Sequence, residues 1–422
     1  MEAVSGKHET SPGARFTFAH LSDIHFAGYR NGAVFDLESN IRQELVYDLR
    51  ALVEKAGPID AILVGGDVAG RGTEAEYKKA AEWIDALCEE FDVPPEMVFC
   101  VPGNHDVYRP AIEGDTLLRT AQEVLLDCSP EELGPRLEEL FTDERHPGLL
   151  LCGLDNYNLF AARYSSAIKP DDHRWTWTSQ FGDLKIHIVG LSSAILCGPG
   201  DVRIADQSRL AIGPQARVKR FDDDTVTILL CHHPPAWLRD YDLHATFIER
   251  AHLQLYGHEH SFAMTPSGDG YRIDAGAVQP SRKEDACQPS YNVISLYRDP
   301  DDLARLTLDL YARQLGDDHI FTAIEEGEDL RREWISLGAP PAATGTPPEP
   351  VAPSPAPDPI EERYLARRLF EIGRDTRTQI GRELGLLGET EEDLSEGVRW
   401  RRALEQARAE ERFAELKEKI DG

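Results

Sequence analysis

Residues 98–108 read VFCVPGNHDVY. The run VFCV is too short for a helix and is closed by Pro102 and Gly103, so it reads as a buried strand. Directly after it stand an amide, an imidazole and a carboxylate: Asn104, His105 and Asp106. Asn and Asp are ordinary turn formers, and one His carries little weight. The triplet gains meaning only if other strands end the same way.

They do. Upstream, FTFAHLSDIH is a short apolar strand that runs out into Asp23 and His25. IDAILVGGD is a second, ending at Asp67. Between these strands, Leu37, Ile41, Leu45, Leu49 and Leu52 recur at helical spacing, and EAEYKKAAEWIDALCEE repeats the pattern before residue 98. Strand, helix, strand, helix, strand at this spacing predicts a parallel sheet with right-handed crossovers. Downstream, LKIHIVGLSSA, DTVTILLCHHPP and HLQLYGHEH restore the strand pattern. Two of them deliver His232, and then His258 and His260. YRIDAGAV, YNVISLY and ARLTLDLYAR follow without helices between them, which predicts antiparallel pairing.

In a parallel sheet the C-terminal strand ends share one edge, where open α/β folds place their ligands. In extended chain, residues two apart point the same way, so Asp-x-His and His-x-His can each serve one centre. Unpaired carboxylates gathered there would repel, and divalent cations remove that cost. His, Asp and Asn together suit first-row metals rather than a calcium cage. A carboxylate shared by two ions about 3.5–4 Å apart would make a binuclear site.

In this order, D-x-H, G-D, G-N-H-D, H-H-P-P and G-H-x-H resemble the calcineurin-like metallophosphoesterase superfamily. HLSDIHF, VPGNHD and CHHPP are most similar to its class III cyclic-nucleotide phosphodiesterase branch and related bacterial metallophosphoesterases. The resemblance covers about residues 16–315. It implies a four-layer α/β/β/α sandwich and two divalent metal ions, Mn, Fe, Ni, Co or Zn, with Mn the first expectation. It implies that Asp23, His25, Asp67 and His260 hold one ion. Asp67 would bridge to a second, completed by Asn104, His232 and His258. His105 would be the catalytic acid, protonating the leaving oxygen after a metal-bridging hydroxide attacks. Gly103 would permit the tight turn, and Asp106 would orient the loop. His20 and His187, inside strand patterns, read as core histidines, and His233 as a supporting partner.

The expected activity is a phosphodiesterase acting on a cyclic nucleotide or another small nucleotide diester. A DNA or RNA nuclease and a phosphomonoesterase are the alternatives on the same site, with a bacterial conflict-system effector as an analogy. A net charge of -30, from 45 Lys and Arg against 75 Asp and Glu, disfavours a nucleic-acid partner. The seven scattered cysteines contain no CxxC pair and read as reduced, buried thiols of a cytoplasmic protein. The polar N-terminus lacks the apolar core of a secretory signal. No apolar run approaches the ~20 residues of a membrane span.

The expected organisation is a disordered N-terminus at 1–15 and a catalytic domain at 16–337 with a largely helical insertion at 107–180. Residues 338–359, with nine of the 27 prolines, read as a linker. Residues 360–422 read as a helical module with stripes at Leu365, Leu369, Ile372 and Ile380, and at Leu404, Ala407, Phe413, Leu416 and Ile420. That module would associate with itself or a partner, or fold back on the catalytic domain.

Overall fold

The computed structural model describes residues 14–27, 39–143, 145–146, 148–169, 173–198, 210–213, 224–280, 287–325 and 329–337. Of the C-terminal part it describes 365, 368, 372, 374–386, 403, 406–407 and 412–421. Leu37, the proline-rich stretch 338–359, Leu369 and Leu404 lie outside these residues.

The expected parallel unit is present. Strands β1 (Arg15–Leu21), β2 (Ala61–Val64) and β3 (Val98–Cys100) pair in parallel in that order, joined by α1 (Ser39–Ala56) and α2 (Glu74–Phe91). Helix α1 buries Leu45, Leu49 and Leu52, and α2 buries Tyr77, Ala81, Ile84 and Cys88, the stripes the periodicity marks. Thr73 and Glu76 close a capping box at the start of α2.

Residues 107–180 divide differently from expectation. Helices α3 (Arg109–Gly114), α4 (Thr116–Asp127), α5 (Pro130–Phe141) and α6 (Asp155–Ala161) form the insertion. Residues from 174 onward are strand β4 (Arg174–Phe181), antiparallel to β5 (Leu184–Leu191). The helical insertion therefore ends before residue 174. The alternation in RWTWTSQF is a half-buried strand pattern, with aromatic and β-branched side chains suited to a pleated surface.

Strands β6 (Thr225–Cys231) and β7 (Leu253–Tyr256) continue in parallel from β5, with α7 (Tyr241–Ile248) between them. Strand β8 (Ala263–Ser267) turns back into β9 (Gly270–Asp274). The segment YRIDAGAV carries β9, which is antiparallel to β8 as expected but pairs in parallel with β7, in the other sheet from YNVISLY and ARLTLDLYAR. The following pair is antiparallel as expected: β10 (Ser290–Arg298) and β11 (Arg305–Leu315). Strands β12 (Phe321–Ala323) and β13 (Arg331–Ser336) both pair with β11.

Two sheets result, seven-stranded in the order β12-β11-β10-β1-β2-β3 with β13 beside β11, and six-stranded in the order β4-β5-β6-β7-β9-β8. Alternation stacks them. Phe16, Phe18, Leu63 and Phe99 of the first sheet meet Ile186, Ile188, Ile228 and Leu230 of the second in one core. Their chain neighbours Ala19, Leu21, Ile62, Val64, Leu229 and Cys231 point outward, under the helices. Helices cover both outer faces, so the fold is the four-layer α/β/β/α sandwich. Helices α8 (Arg374–Glu383) and α9 (Phe413–Asp421) bring Ile380, Leu416 and Ile420 into the same outer core, and Arg377, fully buried, reaches Glu74 of α2 at 3.4 Å.

Candidate metal centre

The strand ends converge. Asp23 and His25 follow β1, Asp67 follows β2, Asn104 and His105 follow β3, His232 follows β6, and His258 and His260 follow β7. Four overlapping sets of donors lie within 4.8 Å of one another: Asp23 with His25 and His260; Asp23 with Asp67 and His232; His25 with Asp67 and His105; and His232 with His233 and His258. Every sequence-predicted His and Asp is in one of these sets. Asn104 is brought in by its carboxamide oxygen, 3.1 Å from His233 Nε2.

The loops carrying these residues are stitched backbone to backbone. Asp23 N donates to Gly66 O at 3.0 Å, His25 N to Asp67 O at 3.0 Å, and Gly257 N to His232 O at 2.9 Å. Five of the residues, Asp23, His25, Asp67, His258 and His260, hold φ between 49° and 71°. That left-handed conformation is uncommon for residues with a Cβ and recurs at sites where function over-determines the backbone. Gly103 serves otherwise than expected. Its φ of −104° is ordinary, but a Cβ there would stand 2.2 Å from Asp67 Oδ1, so the glycine provides room for the carboxylate rather than a turn.

Both carboxylates are almost wholly buried. Burial pushes their pKa values up, but His232 together with neighbouring imidazoles outweighs this and holds Asp23 and Asp67 below the usual carboxylate range. Asp23 Oδ1 accepts from His260 Nε2 at 3.0 Å, and its Oδ2 accepts from Ser22 Oγ at 2.7 Å and His258 N at 3.1 Å. Asp67 Oδ1 accepts from His105 N at 2.7 Å. His232 donates from Nδ1 to Gly65 O at 2.7 Å, because a carbonyl can only accept. Its Nε2 is buried 3.3 Å from Asp67 Oδ2 with no good hydrogen bond. A buried imidazole with Nδ1 fixed by a carbonyl and Nε2 facing a carboxylate is the arrangement of a metal ligand. The donor set fits divalent metal ions.

His105 is fixed in the same way: its Nδ1 donates to Gly70 O at 3.1 Å, so Nε2 remains to hold or release a proton. Its ring meets that of His25 at 4.7 Å. Asp106 accepts from the backbone N of Val68, Ala69 and Gly103, and from Tyr77 at 2.8 Å, which fixes the loop. His233 is tied to Ser193 Oγ at 2.7 Å through Nδ1 and to Asn104 through Nε2. His20 and His187 sit within strands, buried and pushed down to about 3 and about 4, mainly by burial. Burial likewise pushes the Cys100 and Cys231 thiols up to about 12, and no disulfide joins any of the described cysteines. Sequence patterns alone do not single out Ser193, Trp237 and Glu259. Each is marked only by position: Ser193 just after β5, Trp237 just beyond H-H-P-P, Glu259 between the two histidines of G-H-E-H.

Among the described residues no helix is long and apolar enough to cross a membrane. No curated protein sequence matches the chain. Among solved structures, zinc-bound wild-type Vps29 from Entamoeba histolytica is similar at 13% identity and a TM-score of 0.30, covering 76% of this chain and 99% of that one. A putative 5′-nucleotidase from Staphylococcus aureus is similar at 13% and 0.34, covering 84% and 58%. An archaeal phosphodiesterase is similar at 12% and 0.28, covering 68% and 94%. The family model for calcineurin-like phosphoesterases matches residues 16–262, more than half of the chain and all eight strand-end residues. The chain belongs to the calcineurin-like phosphoesterase family, whose members act on phosphate esters with divalent metal ions.

Proposed function

We propose that the protein is a metal-dependent phosphodiesterase acting on a small nucleotide diester. The observation that carries this reading is the imidazole of His105, aimed by its Nδ1–H bond to Gly70 O and held beside two buried carboxylates and a ring of further imidazoles. In this reading Asp23, His25, Asp67 and His260 hold one divalent ion, and Asp67, Asn104, His232 and His258 hold the other. When bound, the ions supply a nucleophile from water near neutral pH and neutralise phosphoryl charge. Manganese is the first candidate by the family resemblance; the carboxylate and amide oxygens suit it, while the four imidazoles suit iron, nickel or zinc as well.

The chain's own residues do the rest. His105 gives a proton from Nε2 to the leaving oxygen, while Gly70 O keeps Nδ1 protonated and the ring aimed. Asp106 holds the loop that carries it. The net charge of -30 favours a small diester over a long polyanion.

The test is a screen of the full chain loaded with Mn²⁺, Fe²⁺, Co²⁺, Ni²⁺ or Zn²⁺ in turn. Substrates would be cyclic nucleotides, bis-nitrophenyl phosphate, nitrophenyl phosphate, RNA and single-stranded DNA. Diester turnover well above monoester and polynucleotide turnover is expected. Faster cleavage of nitrophenyl phosphate, or of either nucleic acid, would overturn the assignment in favour of a phosphomonoesterase or a nuclease.

A further inference from the structure

Trp237 closes the short turn after the His232–His233 pair and stands at the rim of the centre, part-exposed. Its ring crosses that of His258 at 4.5 Å and 85°. Its indole N–H donates to the Glu259 carboxylate, which lies exposed between His258 and His260. The indole plane is thus fixed from two sides, next to a residue of the proposed centre.

We infer that Trp237 is the stacking wall for the flat ring of the substrate, so that the site takes a nucleoside phosphodiester in preference to an alkyl one. This rests on the phosphodiesterase reading and names the residue that selects its substrate. Charge sets the direction. Glu259, held on the indole N–H, disfavours a phosphoryl group against Trp237, whereas the imidazoles of the centre favour one among them. A diester with a neutral heteroaromatic ring on one arm matches that division: phosphorus at the centre, ring against the indole. Base–aromatic stacking is sequence-tolerant because every base has a π-face, so the wall selects for a base without selecting which one.

The experiment compares the full-length wild type with Trp237→Leu and Trp237→Phe on two diesters sharing one leaving group, thymidine 5′-nitrophenyl phosphate and methyl nitrophenyl phosphate. Metal content is measured in the same preparations. Trp237→Leu should raise KM for the thymidine ester about tenfold while changing kcat/KM for the methyl ester by less than about twofold, with both metals retained. Trp237→Phe should recover most of the loss. Equal losses on both esters, or a lost metal, would overturn the inference and make Trp237 a support for His258. A metal-loaded wild type that turns over neither diester but hydrolyses nitrophenyl phosphate would sink the phosphodiesterase reading itself, and the inference with it.

Discussion

His232 at the end of β6 and His173 just before β4 are both buried, yet their surroundings are opposite. Burial pushes both imidazoles toward neutrality. At His232 the charges of Asp67 and Asp23 outweigh burial and push the pKa up to about 9. At His173 nothing opposes burial, the Arg174 charge adds to it, and the pKa falls to about 3. His173 stacks on Phe141 of the insertion at 4.5 Å, and neither of its ring nitrogens has a hydrogen-bond partner among the described residues. The partner set, not burial, separates His232 from His173. The sheet edge collects unlike donors from both sheets; the insertion collects apolar surface. Removing a partner at the edge should therefore abolish chemistry, and a change under the insertion should alter only stability.

The edge breaks hardest at Asp67, the carboxylate proposed to lie between the two ions. Asp67→Ala should lose both metals and all measurable turnover. Asp67→Asn should be nearly as damaging, since an amide lacks the charge needed between two cations. Metal content and turnover check this together, and near-normal activity in either variant would refute the bridging role.

His105 comes next. His105→Ala should keep both metals but lose roughly 10²–10⁴-fold in turnover on a natural nucleotide diester. The loss should be much smaller on a nitrophenyl ester, whose leaving group departs without a proton. Similar losses on both substrates with metals intact would make His105 a positioning group instead of an acid.

The edge is the legible part of this chain. Its donors sit in runs of one to three residues directly after apolar strands. Parallel pairing collects the ends of β1, β2 and β3, so the amino-acid order suffices to gather Asp23, Asp67 and Asn104; His232, at the end of β6, joins them only because the second sheet stacks on the first. The left-handed φ of Asp23, His25 and Asp67 is not legible, because no glycine marks those positions. Nor is the reason for Gly103: the approach of Asp67 Oδ1 depends on β2 and β3 lying side by side, which no local pattern encodes. β4 leaves a readable signal in RWTWTSQF, hidden by the irregular sequence before it. The pairing of β9 with β7 is hidden because β8 and β9 form a hairpin that returns to the parallel sheet.

A smaller effect should follow from cutting the chain after Leu337, the proposed end of the catalytic domain. All eight site residues precede the cut, so turnover on a model diester should stay within about threefold. The core would lose Ile380, Leu416 and Ile420, and Glu74 would lose Arg377, so Tm should fall by several degrees. A truncated protein that folds and binds both metals but has no activity would place the tail in the working site.

The smallest effect separates the two histidines directly. His173 is held neutral in the fold, well below its ordinary value near 6.5. The unfolded chain takes up a proton there before the folded chain does. Its contribution to stability is therefore complete above about pH 6.5 and is lost as pH falls from there toward 3, at about 1.4 kcal/mol per pH unit. His173→Phe removes that titration and keeps a ring against Phe141. At pH 7.5 the variant should be as stable as the wild type or slightly more so, with turnover unchanged. By pH 5 it should be ahead by about 2 kcal/mol, because only the wild type then has a proton to exclude. Denaturant unfolding of both proteins from pH 7.5 to 5 tests this, with the site histidines common to both curves and cancelling in the difference. Parallel curves would mean that His173 is protonated in the folded protein and that the insertion admits water to it. A change in turnover would mean that the insertion and the edge are coupled rather than separate regions.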